Sequence, residues 1–187
     1  MRRFILYSRT GYTAPFSGSL QEAGRLDIVY QCTLMALFAS HYIRRDTEFH
    51  AFIYGAPNPP LHLFIDGKSL RDVRIDEATW KRLINEAFAG TEHPGIRISK
   101  EGIETYVKTL EEMYVLSEKG INIQDVEFKS PSFFIGDHIG LPKKFEDSLV
   151  KHGAKKVSIG KERYLAASTV DIVNYILDNK LREKTQY

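Results

Sequence analysis

Along this chain, short continuous apolar runs alternate with segments whose apolar positions recur every three to four residues. The run FILY within residues 3–8 predicts a first strand. From 27 to about 42, Ile28, Cys32, Met35 and Ala39 share one helical face, with no glycine or proline between them. Asp27 at its start suits a cap or the positive end of the helix dipole. Residues 48–54 (EFHAFIY) and 61–65 (LHLFI) read as two further strands. The proline-rich linker between them has too few donors to sit inside a sheet. Residues 76–88 make an amphipathic helix with Trp80, Leu83, Ile84 and Ala87 inward, and 89–99 reads as a loop broken at His93-Pro94-Gly95.

The second half repeats one theme. After a helix from 103 to about 112, a strand over 113–116 ends before Gly120, a strand core over 133–135 ends at Gly136, and a strand over 156–159 ends at Gly160. The last helix is expected to begin near Ser168, where Ser168 and Asp171 have the spacing of a capping box. Its apolar stripe is Val170, Val173, Ile176, Leu177 and Leu181. Strands alternating with helices predict an α/β fold, a mostly parallel sheet between helical layers. No linker divides the chain, so a single domain over 1–187 is expected.

Composition sharpens this picture in a few places. With 187 residues, 43% of them hydrophobic and 27% charged, the chain can bury a substantial core and does not resemble a disordered segment. The lone Cys32 rules out an intrachain disulfide and a cysteine-rich zinc cluster. The apolar runs are too short to cross a bilayer, and the basic start has no secretory core behind it, so a cytoplasmic protein is expected. The net charge of +2 excludes a uniformly basic glove for nucleic acid. Charge is nonetheless concentrated, because Lys143, Lys144, Lys151, Lys155, Lys156, Lys161 and Arg163 crowd one segment beside the glycine turns.

Open parallel sheets bind ligands outside the carboxyl ends of their strands. The turns after Leu116, Ile135 and Ile159 converge there if their strands are neighbours, and their backbone atoms could enclose a planar polar ligand. Neither the GxGxxG fingerprint nor the GxxxxGK[ST] phosphate loop occurs, and no GxSxG elbow is present. The histidines form no short metal-ligand motif, so no metal site is expected. Asp137-His138 suits acid–base work, a metal, or the satisfaction of turn amides. Arg25 with Asp27, and Arg44-Arg45 with Asp46, bracket the first long helix and suit either an ion-pair network or a phosphate-binding rim. Arg9 and the 11–24 loop could cover a substrate.

Five ordered stretches carry more than any single turn: GRLD at 24–27, HYIRRD at 41–46, YGAPNPP at 54–60, FFIGDHIGLP at 133–142 and VSIGKERYLAAST at 157–169. Together they resemble the archaeal tRNA pseudouridine N1-methyltransferases, members of the knotted SPOUT methyltransferases and relatives of a ribosomal-RNA pseudouridine methylase. That resemblance implies a homodimer that uses S-adenosylmethionine to methylate N1 of pseudouridine in the T-loop of tRNA, at position 54. It implies a C-terminal trefoil knot, with the cofactor region spanning about 113–187. Carried onto this chain, cofactor contacts fall at Leu116, Gly136, Ile159, Gly160, Lys161, Glu162, Arg163, Tyr164 and Thr169.

Under this reading Asp27 or Asp46 accepts the N1 proton, with Asp137 a third candidate, and Arg25 completes the catalytic set. Arg9, Arg44, Arg45, Lys143 and Lys144 meet RNA. Two positions depart from the family pattern: Thr169 stands where a cysteine is common, and Gly160-Lys161 where Gly-Pro is common. These departures keep open a non-catalytic RNA-binding or assembly protein with a vestigial pocket, and the family kinship with the little that a basic patch says of substrate keeps open methylation of pseudouridine in ribosomal RNA.

Overall fold

The computed structural model describes residues 1–184, with side chains as far as Lys180. The Leu181 side chain, expected on the last apolar stripe, lies outside them. The strands are β1 (Arg2–Ser8), β2 (Phe38–Ala39), β3 (Tyr42–Ile43), β4 (Thr47–Ile53), β5 (Leu61–Asp66), β6 (Ile96–Ser99), β7 (Met113–Asn122), β8 (Ser132–Gly136) and β9 (Lys155–Ser158). The helices are α1 (Leu26–Leu37), α2 (Glu77–Phe88), α3 (Ile103–Val107), α4 (Lys143–Lys151) and α5 (Ala166–Lys184).

Seven strands form one sheet in the order β6-β5-β4-β1-β8-β7-β9. The five from β4 to β9 pair in parallel, and β5 and β6 close one edge by antiparallel pairing. Alternation along β1 sends Phe4 and Leu6 to one face and Ile5 to the other. The Phe4 face packs against α1, α2 and α5 through Val29, Cys32, Trp80, Val170 and Val173. The Ile5 face packs against α3 and α4 through Ile103, Val107 and Leu149. A sheet buried on both sides needs continuous apolar strands, which FILY and FFI supply.

Several boundaries differ from the sequence expectation, each for a local reason. Helix α1 ends at Leu37 rather than near Tyr42, because Ser40 and His41 turn the chain into the two-residue hairpin β2-β3. Helix α3 stops at Val107. Residues 96–99, expected as loop, form the edge strand β6, in which only Ile96 is buried. Helix α4 was not expected at all, since its sequence KKFEDSLVK buries only Leu149. Strand β7 runs through Gly120 to Asn122, where the glycine was expected to end it. Helix α5 starts at Ala166, so Ser168 lies inside its first turn instead of capping it.

Candidate active site

The last three parallel strands are neighbours, with β7 between β8 and β9. Their carboxyl ends therefore open on one side, and the three turns enclose a cleft of about 760 Å³. Leu116, Gly136, Ile159, Gly160, Glu162, Arg163, Tyr164 and Thr169 line it. Lys161 is exposed on the same turn but is absent from the lining. The close approach explains Gly136: a Cβ there would lie 2.2 Å from the carbonyl carbon of Gly140, because the following turn folds back on the strand end.

That turn is held by Asp137. Its backbone N–H donates to Tyr7 O (3.1 Å), and its own carbonyl accepts from Gly140 N (2.9 Å). Oδ1 accepts from Ile139 N (2.9 Å), and Oδ2 accepts from Arg9 N (2.7 Å). One buried carboxylate thus joins the ends of β1 and β8, which explains its near-complete burial better than a free catalytic role does. His138 follows it into the cleft.

The opposite wall comes from α1. Its first residue follows Arg25, whose φ of 70° turns the chain sharply, so that Arg25 and Asp27 both enter the lining. They form a two-pronged pair, Arg25 Nε to Asp27 Oδ1 at 3.0 Å and Nη2 to Oδ2 at 3.1 Å. Bonding to Asp27, with further help from the Asp27 charge and from nearby Asp137, tightens the hold of Arg25 on its proton. Asp27 lies in the first turn of α1, where the dipole favours it, without capping the helix.

Asp46, expected beside Asp27, lies elsewhere in the chain. It precedes β4, at the amino ends of the parallel strands, and accepts a hydrogen bond from Arg2 at 3.0 Å. Arg44 pairs with Asp178 at 2.7 Å, and Arg45 donates to the carbonyls of Gly67 (2.8 Å) and Leu70 (2.7 Å). Within one chain these three residues therefore lie apart from the cleft, Asp46 at the opposite end of the sheet and both arginines bonded within the chain. Arg9, Lys143 and Lys144 are exposed, and Lys143 pairs with Asp147 at 3.0 Å. Sequence reasoning missed Glu118, Glu146 and Gln31, which also line the cleft. Glu118 and Gln31 had no signal, while Glu146 was hidden with α4. Five carboxylates against two guanidinium groups give the lining an excess of acid, which suits a cationic ligand.

The sequence model of a family of SAM-dependent RNA methyltransferases matches residues 1–181. The tRNA (pseudouridine(54)-N(1))-methyltransferase of Methanocella arvoryzae is 34% identical over 193 residues, covering 96% of this chain and all of that protein. Its counterpart in Thermococcus kodakarensis is 34% identical over 199 residues, covering 95% of this chain and 99% of that protein. The chain belongs to this family of methyltransferases.

A solved structure of Archaeoglobus fulgidus Nep1 bound to S-adenosylhomocysteine shares the fold, with a TM-score of 0.69, 16% identity, and coverage of 95% of this chain and 97% of that one. The architecture is the SPOUT-type α/β methyltransferase fold with a largely parallel core sheet. Among the described residues no helix is long and apolar enough to cross a membrane, and no group of three His, Cys, Asp or Glu side chains is placed to hold a metal ion.

Proposed function

We propose that this chain methylates N1 of pseudouridine 54 in tRNA, using S-adenosylmethionine. The observation that carries the reading is the meeting of three strand-end turns with the Arg25–Asp27 pair in one cleft. The full-length similarity to tRNA enzymes favours tRNA over ribosomal RNA. The cleft fits the cofactor, being within the usual size range of small-molecule sites and lined by turn backbone, apolar side chains and excess carboxylate. Bound there, S-adenosylmethionine supplies a methyl group already activated by its sulfonium.

Leu116, Gly136, the 159–164 turn and Thr169 hold the cofactor, leaving alignment as the main work of the protein. Arg25, fixed by Asp27, presents donors to the carbonyl oxygens of the target base. Both oxygens of Asp27 are bonded to Arg25, so its part is to hold that guanidinium. Arg9, Lys143 and Lys144 receive phosphates around the cleft, and the base leaves its stack to reach the methyl group. We further infer a single domain over 1–187, a homodimer in the cytoplasm, and a trefoil knot within 113–187. Support for the knot comes from the SPOUT-type fold shared with the solved structure described above. An experimental chain trace that pulls straight from its two ends contradicts the knot.

The test is methyl transfer by Arg25→Ala and Asp27→Asn. Arg25→Ala is expected to lower kcat by about 10²-fold, as loss of a charge-stabilising donor does. Asp27→Asn is expected to lower it less, and both are expected to keep S-adenosylhomocysteine affinity close to wild type in calorimetry. Unchanged turnover in both variants contradicts the assignment.

A further inference from the structure

The methyl transfer leaves one proton unassigned. As the N1–C bond forms and the S–C bond breaks, the sulfur keeps the bonding electron pair and leaves as a neutral thioether. The pseudouridine N1–H must then be lost, or the methylated ring stays cationic. The structure gives most cleft carboxylates other work. Asp27 is doubly bonded to Arg25, and Asp137 accepts two backbone N–H groups. Glu118 is paired with Arg163, and Glu146 with Lys156 at 2.6 Å. Glu162 is exposed on the turn after β9. A carboxylate in water is a weak acceptor at neutral pH, whereas an imidazole is matched to it.

We propose that His138 accepts the N1 proton, a step that rests on the reaction assigned above. Its backbone is fixed from both sides, since Asp137 is tied to Tyr7, Arg9, Ile139 and Gly140. Its ring is not. The nearest carboxylate oxygen, Asp137 Oδ1, is 3.9 Å from Nδ1, beyond hydrogen-bonding distance, and the side chain is 36% exposed. A firmly seated backbone with a free ring lets one nitrogen face the substrate while the other passes a proton to water.

The experiment is single-turnover methyl transfer to tRNA carrying pseudouridine 54, from acid to alkaline pH, with wild type, His138→Asn and His138→Gln, alongside calorimetry with S-adenosylhomocysteine. The wild-type rate is expected to climb with pH and level off above the imidazole range. Both variants are expected to be slower by about 10²-fold at neutral pH, with the gap narrowing in alkali and cofactor affinity held. Wild-type rates with an unchanged profile in either variant overturn the proposal, and so does loss of S-adenosylhomocysteine binding, which would make His138 a cofactor holder. A wild-type enzyme that places the methyl group elsewhere overturns the reaction itself, and is read from the product rather than from the variants.

Discussion

Two buried histidines outside the cleft link protonation to folding. His50 Nδ1 and His62 Nε2 are 2.9 Å apart, Tyr106 Oη is 3.0 Å from His50 Nε2, and His62 Nδ1 faces Glu101 at 3.4 Å. One set of tautomers satisfies the chain: the Tyr106 hydroxyl donates to His50, His50 donates to His62, and His62 points its remaining N–H at Glu101. Burial lowers the pKa of His50 and takes that of His62 down to about 3, the neighbouring His50 adding to the latter. The unfolded chain takes up these protons near 6.5 and the folded chain resists, so the contribution is complete above 6.5 and declines as pH falls toward 3. His62 accounts for up to about 1.4 kcal/mol per pH unit in that window, and the lowered pKa of His50 acts in the same direction. Urea unfolding of wild type should weaken on the acid side, and His62→Gln should show a shallower slope; parallel slopes would contradict this coupling. At this same scale, the contrast between Asp27 and Asp46 was partly legible. Both sit beside arginines, but Asp46 precedes a strand, and in a parallel sheet that puts it opposite the ligand-binding ends.

Helices and strands with wide apolar faces were readable from their spacing, and those with narrow faces were not. Helix α2 announces itself through four inward residues and the Asp76 side chain, which accepts from Thr79 N at 2.9 Å. Helix α4 and strand β6 each bury a single residue, so composition hid them among loops. Strand β7 runs past Gly120, although a glycine there looks like a terminator. The glycine serves instead as a point of close approach to β9: a Cβ at Gly120 would lie 2.5 Å from the Val157 backbone. Gly120→Ala is expected to cost about 1–3 kcal/mol in chemical denaturation, as overpacking does, while Gly102→Ala, which meets only the Glu104 carboxylate tip, should cost less. Equal costs would contradict a tight approach at Gly120. Between α1 and α5, the fully buried Asn174 donates to the carbonyls of Met35 (2.8 Å) and Ala36 (3.1 Å) and accepts from Arg2 (2.9 Å). Asn174→Leu is therefore expected to destabilise by about 2–4 kcal/mol, through the unpaired groups it leaves behind. A thermal or urea midpoint unmoved by that change would contradict it.

The whole molecule combines an acid-lined cleft with a net charge of +2, so RNA affinity must come from local patches rather than a global field. Raising salt should weaken tRNA binding steeply and S-adenosylhomocysteine binding much less, as titrations of each ligand would show. Equal responses would argue against phosphate contacts by Arg9, Lys143 and Lys144. Helix α5 and the turn before it expose Leu165 and Tyr175, apolar surface suited to the expected two-fold interface. Sequence periodicity pointed to the layered sheet and to three glycine turns. It carried no sign of the register shift in β7, because strand order and register depend on contacts between residues far apart in the chain. Methyl transfer to two tRNAs that differ only in carrying pseudouridine or uridine at position 54 decides whether this enzyme performs the proposed reaction. One methyl group is expected, on N1 of the pseudouridine, and none on the uridine tRNA; equal methylation of both, or methylation at another site, would contradict that reaction.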